Sequence, residues 1–158
     1  MTTQRQLWIP PDVEEAAATW GANCGPIALA AGLRRTLAQV RPLLGTSFKG
    51  YMNARDMLDA VKNAGRLGRL VEVEQGWQGT GFVRIQWEGP WLREGVPIGA
   101  ALAHTHWVFA LDGRVFDCNF EPLRYDTWGA WEYEVAAPII QLTRGATGWR
   151  IRDVIVRA

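Results

Sequence analysis

Apolar and polar positions follow two different periods along this chain, and the change falls near Leu67. Before it the spacing is helical. "VEEAAATW" follows Asp12, which is placed to cap it, and Glu14 and Glu15 suit the positive end of a helix. Gly21 breaks that run. A second helix is predicted from about Cys24, with Pro26 in the first turn where a missing N–H costs least. Gly32 and the following "RRT" are expected to end or bend it. "TLAQVRPLL" reads as a further short helix capped by Thr36. "NARDMLDAVKNAG" places Met57, Leu58 and Val61 on one side, between an N-cap at Asn53 and a stop at Gly65. Residues 1–11 read as an arm ending in Pro10-Pro11.

From Leu67 the period shortens to two. "RLVEVEQ" and "GFVRIQWEG" alternate apolar with polar residues, which predicts strands with one wet face. "VPIGAAL" is expected to be the next strand. "HTHWVFALDGRVFDCN" predicts two strands joined by Asp112-Gly113, a strong hairpin signal. "AWEYEVAAPIIQLTRG" reads as a late helix broken near Pro138, and "WRIRDVIVRA" as a terminal strand. Helices first and an antiparallel sheet second make an α+β domain spanning 1–158, with no internal linker or repeat.

Composition narrows the function classes. The 158 residues are 48% hydrophobic and 21% charged, ordinary for a folded domain with a real core. Seventeen basic against 16 acidic residues leave a net charge of +1, which gives no electrostatic reason to bind nucleic acid or an anionic membrane. Nine tryptophans, spread from Trp8 to Trp149, are expected mainly to fill the core. "MTTQRQLWIPPD" has no apolar signal region and no later run approaches a membrane span, so the expectation is a cytoplasmic protein. Two cysteines and two histidines make no metal-ligand pattern. A disulfide between Cys24 and Cys118 stays open on sequence, with free thiols favoured in a cytosolic chain.

Cys24, in "ANCGPIALAAG", is the residue with chemical promise. A thiol is mostly protonated at neutral pH. At a helix start its thiolate faces unpaired N–H groups and the positive end of the dipole, and both lower its pKa. The same N–H groups can hold the oxyanion of a tetrahedral intermediate. Taken alone, Cys24 reads better as a small residue packed beside Ala28, Ala30 and Ala31, and the ordered His and Asp are what turn the reading toward a nucleophile. A base is needed, and His104 and His106 share a strand face, so spacing does not choose between them. The hairpin brings "VFDCN" opposite "HTHWV". Asp117 and Asn119 then fall on one face, where either can orient an imidazole, and Cys118 on the other, toward the core.

"NCGPIALAAGL" resembles the nucleophile helix of papain-like cysteine peptidases, especially small bacterial members and the leader-cleaving peptidase domains of bacteriocin exporters. "HWVFALDGRVFDCN" is similar to their histidine hairpin, and the order Cys, His, Asp is kept. The resemblance implies a papain-like fold, with the nucleophile helix among N-terminal helices packed on a C-terminal antiparallel sheet. It implies Cys24 as nucleophile, His106 as general base and acid, and Asp117 as the orienting residue, with Asn119 the alternative third member. Relatives commonly carry a Gln six residues before the cysteine as an oxyanion donor, where this chain has Ala18. Asn23 is the nearest substitute, with Trp20, Gln4 or Gln6 as others. Trp20 and Trp107 are candidates to line a substrate cleft. The activity implied is cofactor-free and metal-free hydrolysis of a peptide or isopeptide bond in a protein or peptide substrate, through an acyl-enzyme. An acyltransferase of the transglutaminase kind shares the triad, and a non-catalytic binding module shares the scaffold.

Overall fold

A computed structural model describes residues 5–46 and 48–158. Helices α1 (Val13–Trp20), α2 (Cys24–Leu33), α3 (Leu37–Val40) and α4 (Ala54–Asn63) follow one another in the first part of the chain. Thr36 and Asn53 each accept the N–H three residues on, and Gln39 and Asp56 return a bond to the cap's own N–H. Both are reciprocal capping boxes. Asp12 behaves differently from expectation. It precedes α1 but makes no cap bond there, and its carboxylate takes the N–H groups of Leu37 (2.8 Å) and Ala38 (3.0 Å) at the start of α3. α2 ends where "RRT" begins, at Leu33 with Arg34 in the left-handed conformation as its cap; Gly32 lies inside the last turn, where a side chain would collide with the rings of Phe82 and Phe109.

Six strands form one sheet: β1 (Gly68–Val71), β2 (Gly81–Glu88), β3 (Thr105–Leu111), β4 (Arg114–Phe116), β5 (Arg124–Tyr125) and β6 (Gly148–Arg157). Their order is β1-β6-β2-β3-β4-β5, with every neighbouring pair antiparallel. The α+β class is therefore as expected, but the sheet has helices on both faces. Phe82, Trp107, Phe109 and Ile155 pack with Leu29, Leu37 and Met57 of α2–α4 on one face. Val83, Ile85, Val108 and Val154 pack with Trp91, Trp128, Trp131 and Val135 on the other.

Four further differences from expectation follow, the first of them owed to that second layer. "GFVRIQWEG" has no wet face: β2 is buried on both sides, with Arg84 3% and Gln86 0% exposed. Its polar side chains find partners inside, Arg84 Nη1 with Asp153 at 3.3 Å and Gln86 with Arg152 at 2.8 Å, while Arg84 Nε is left without one. "VPIGAAL" is not a strand but contains α5 (Ile98–Leu102); a short apolar run of small residues has no period to tell the two apart. The late helix is not broken at Pro138. α6 (Trp128–Trp131) widens into a π-helical turn over Glu132–Ala136 and continues as α7 (Ala137–Leu142). The wider turn accommodates a proline that has no N–H and whose ring would strike the preceding turn. The strand expected from "RLVEVEQ" is also shorter than its alternation, ending at Val71.

The hairpin does most to place the site. Asp112 and Gly113 both take positive φ, 52° and 80°, as a two-residue turn requires. Leu111 pairs with Arg114 and Phe109 with Phe116, and the ladder stops there. The stretch of β3 before Phe109 thus keeps an edge that β4 has left. Among the described residues no helix is long and apolar enough to cross a membrane.

Candidate active site

The start of α2 meets that vacated edge. The Trp87 N–H bonds the His104 carbonyl at 2.9 Å, so even-numbered residues of β3 turn their backbone groups toward β2. The N–H of Trp107 points the other way, toward the sulfur of Cys24, whose pKa it helps to lower. Close approach is possible because residue 25 is glycine: a Cβ there would sit 2.9 Å from the Met52 sulfur. The loop carrying Met52 is fastened at three points. Asn23 donates its side-chain amide to the Gly50 carbonyl, Arg84 donates to the Tyr51 hydroxyl, and the Trp107 indole donates to the Met52 carbonyl at 2.8 Å.

His106, 5% exposed, lies between the thiol and a carboxylate. Its Nε2 is 2.9 Å from Asp117 Oδ1, which leaves Nδ1 as the ring nitrogen available to the sulfur. Asp117 is fully buried and takes two further donors, the Asn119 N–H at 2.9 Å and the Trp131 indole at 2.8 Å. Trp87 lies nearly parallel to the imidazole at 6.4 Å, and Trp131 nearly parallel to Trp87 at 6.2 Å. The imidazole therefore has a fixed plane and a fixed carboxylate partner.

The charges follow from this arrangement. Burial alone would push the Cys24 thiol up, but the His106 imidazolium, as bond partner and as charge, together with the Trp107 N–H, brings it below its ordinary range. Burial would push His106 down, and the Asp117 carboxylate prevails and holds it well above its ordinary 6.5. Asp117 is raised by burial and lowered more by the imidazolium and its two other donors. Both shifts run in the direction of a thiolate beside an imidazolium. Arg84 is a second buried cation that feels the thiolate, after Asp153 and Arg152; its guanidinium packs over Tyr51 and Trp107 at 5.5 and 5.8 Å.

Cys24, His106 and Asp117 are thus brought together, and Trp107 adjoins Cys24 by its backbone, while its indole is buried at 3% exposure and bonded to Met52 rather than lining a cleft. Asn119 is exposed, and its amide nitrogen lies 3.5 Å from the same His106 Nε2. Other candidates stand elsewhere. The Asn23 amide is committed to Gly50, which leaves the N–H groups of Cys24 and Gly25 as those of the first α2 turn without a helical partner, since Pro26 has none and Ile27 bonds Asn23. Trp20 packs edge-on to Phe48 and under Arg41, between α1 and α3. Gln6 lines a cavity at the opposite end of α2, and Gln4 lies outside the described residues. Ala18 is exposed on α1. His104 stacks on Trp91 at 3.7 Å and bonds the Ala100 carbonyl, away from the thiol.

Both cysteines are free, and Cys118 packs toward the helical side of the core, where burial and the Asp117 charge push its thiol up. Among the described residues no group of three or more His, Cys, Asp or Glu could hold a metal. Trp131, Trp87 and Arg84 were not foreseen. Trp131 lies 14 residues beyond Asp117 in a separate helix with no motif to link the two, and Arg84 comes from a position whose alternation reads as solvent-facing.

No protein-family model, curated protein or solved structure matches the chain.

Proposed function

We propose that this chain is a papain-like thiol hydrolase that cleaves a peptide or isopeptide bond. The observation that carries the reading is a single one: His106 held between the Cys24 thiol and a fully buried Asp117 carboxylate. The Cys24 thiolate attacks the substrate carbonyl, forming a C–S bond and moving the carbonyl electron pair onto oxygen. The N–H groups of Cys24 and Gly25 are the donors placed to receive that oxyanion. As the C–N bond breaks, the imidazolium gives its proton to the leaving amine. His106, now neutral, takes a proton from water, and the resulting hydroxide displaces the thiolate and releases the acid. Asp117 stays ionised throughout, fixing the ring and balancing its charge.

The test is a peptide bearing an activated ester at its C-terminus, followed by intact-mass spectrometry. A peptidyl adduct on Cys24 is expected, turning over to the free acid in water, and absent from Cys24→Ala. Turnover unchanged in Cys24→Ala would overturn the proposal, as would product appearing only when an amine acceptor is supplied.

A further inference from the structure

At the end of α2 opposite Cys24, the helical layer does not close on the sheet. A cavity of about 810 Å³ remains there, within the roughly 300–1,000 Å³ usual for small-molecule sites. Its floor is apolar, built from Phe82, Phe109, Leu111 and Ile155 of the sheet with Leu33 of α2 and Val61 of α4. Leu67, 70% exposed, adds an apolar lip. The rim is cationic. Arg5, Arg34, Arg66 and Arg157 reach it from four separate parts of the chain, and all four are exposed. Among the described residues none of them is in an ion pair, and Asp112 is the only acid in the lining, its carboxylate accepting the Thr80 hydroxyl at 3.0 Å.

Floor and rim make different demands on a ligand. The floor offers burial to hydrocarbon and no donor or acceptor side chain to a polar group. Four arginines against one aspartate around the opening favour an anion, and a guanidinium suits a carboxylate or phosphate because its N–H groups match two oxygens at once. The negative end of α2 nearby is blunted, since the Arg34 and Arg35 N–H groups bond the Ala30 and Ala31 carbonyls. We propose that this cavity binds an amphiphile, with its apolar chain over Phe82 and Phe109 and its carboxylate or phosphate head at the arginine rim. The proposal is independent of the thiol chemistry.

Calorimetric titration of the full chain with decanoate and decyl phosphate, each below its micelle concentration, and with decanol below its solubility limit, tests it. Saturable binding of one equivalent is expected for at least one anion, at least tenfold tighter than decanol and weakening as salt is added. Replacing two exposed rim residues together, Arg34→Gln and Arg66→Gln, should weaken that anion at least tenfold and leave decanol unchanged. The fold of this variant is checked by its melting temperature. Decanol binding as tightly as both anions, an arginine pair without effect, or no saturable heat would each overturn the proposal. No turnover enters the readout, so its failure leaves the hydrolase reading untouched.

Discussion

Asp117 is held by three donors while fully buried, whereas Asn119 stands exposed at 3.5 Å from the same imidazole nitrogen. Both residues reach the His106 ring, but from beyond the ladder, which stops at Phe116 short of the pairing the hairpin predicted, and their chemical reach differs. A carboxylate raises the His106 pKa and keeps the imidazolium beside the thiol, while an amide only orients the ring. Asp117→Asn should therefore slow iodoacetamide alkylation of Cys24 at pH 6 by roughly tenfold or more, the equivalent of about one unit in the thiol pKa. Asn119→Ala should leave the rate within about threefold on the same scale. Peptide mapping of the native chain at that pH should find label on Cys24 well before Cys118, whose thiol burial pushes up. The reverse order of the two variants would make the amide the third member of the site. The three interacting residues were legible because two of them flank one hairpin and the third opens a helix. Trp131, which completes the hold on Asp117, carries no local signal; only the tertiary fold brings its indole to the carboxylate.

The elements that place the thiol meet through one small residue. Gly25 lets α2 approach the loop at Met52, and Met52 in turn receives the Trp107 indole beside the thiol. Gly25→Ala would set its methyl 2.9 Å from the Met52 sulfur and 3.0 Å from the Met52 Cβ. Since the Cβ cannot swing away as the sulfur can, the backbone must shift. A loss of about 1–3 kcal/mol in urea unfolding is expected, and adding Met52→Ala should recover part of it by removing the sulfur and Cγ. A loss unaltered by Met52→Ala would show that the strain lies elsewhere. Element identity was readable where ends carry chemistry, as with the capping boxes at Thr36 and Asn53 or the turn at Asp112-Gly113. It failed where tertiary burial decides. "VPIGAAL" has no period, and the alternation of β2 says one face is polar without saying that the polar face is also covered. Arg84 and Gln86 are buried only because Asp153 and Arg152 of β6 lie alongside.

On the scale of the whole molecule, the buried His106–Asp117 pair links the two helical layers through the sheet, since Trp131 belongs to one layer and Cys24 to the other. Its contribution to stability has a defined pH window. The Asp117 pKa is depressed below its ordinary 3.8, so its stabilisation is complete above that value and lost as pH falls through the lower folded value. The His106 pKa is raised above 6.5, so its stabilisation is complete below 6.5 and lost as pH rises through the higher folded value. The pair therefore stabilises most between 3.8 and 6.5. Cys24 also titrates against the imidazolium, so the measurement belongs in a Cys24→Ala background. There, urea unfolding of the chain with and without the double change His106→Gln and Asp117→Asn should differ most near pH 5. The difference should shrink toward pH 9–10 as the imidazole loses its proton, and as pH falls below 3.8 and the carboxylate gains one. Removing only one partner should cost more than removing both, about 3–5 kcal/mol, because it leaves the other charge buried alone. A difference that stays flat from pH 4 to pH 9 would mean that folding leaves the His106 pKa where it is in the unfolded chain. The thiolate–imidazolium state, and the low-pH reactivity of Cys24 that follows from it, would then both fall.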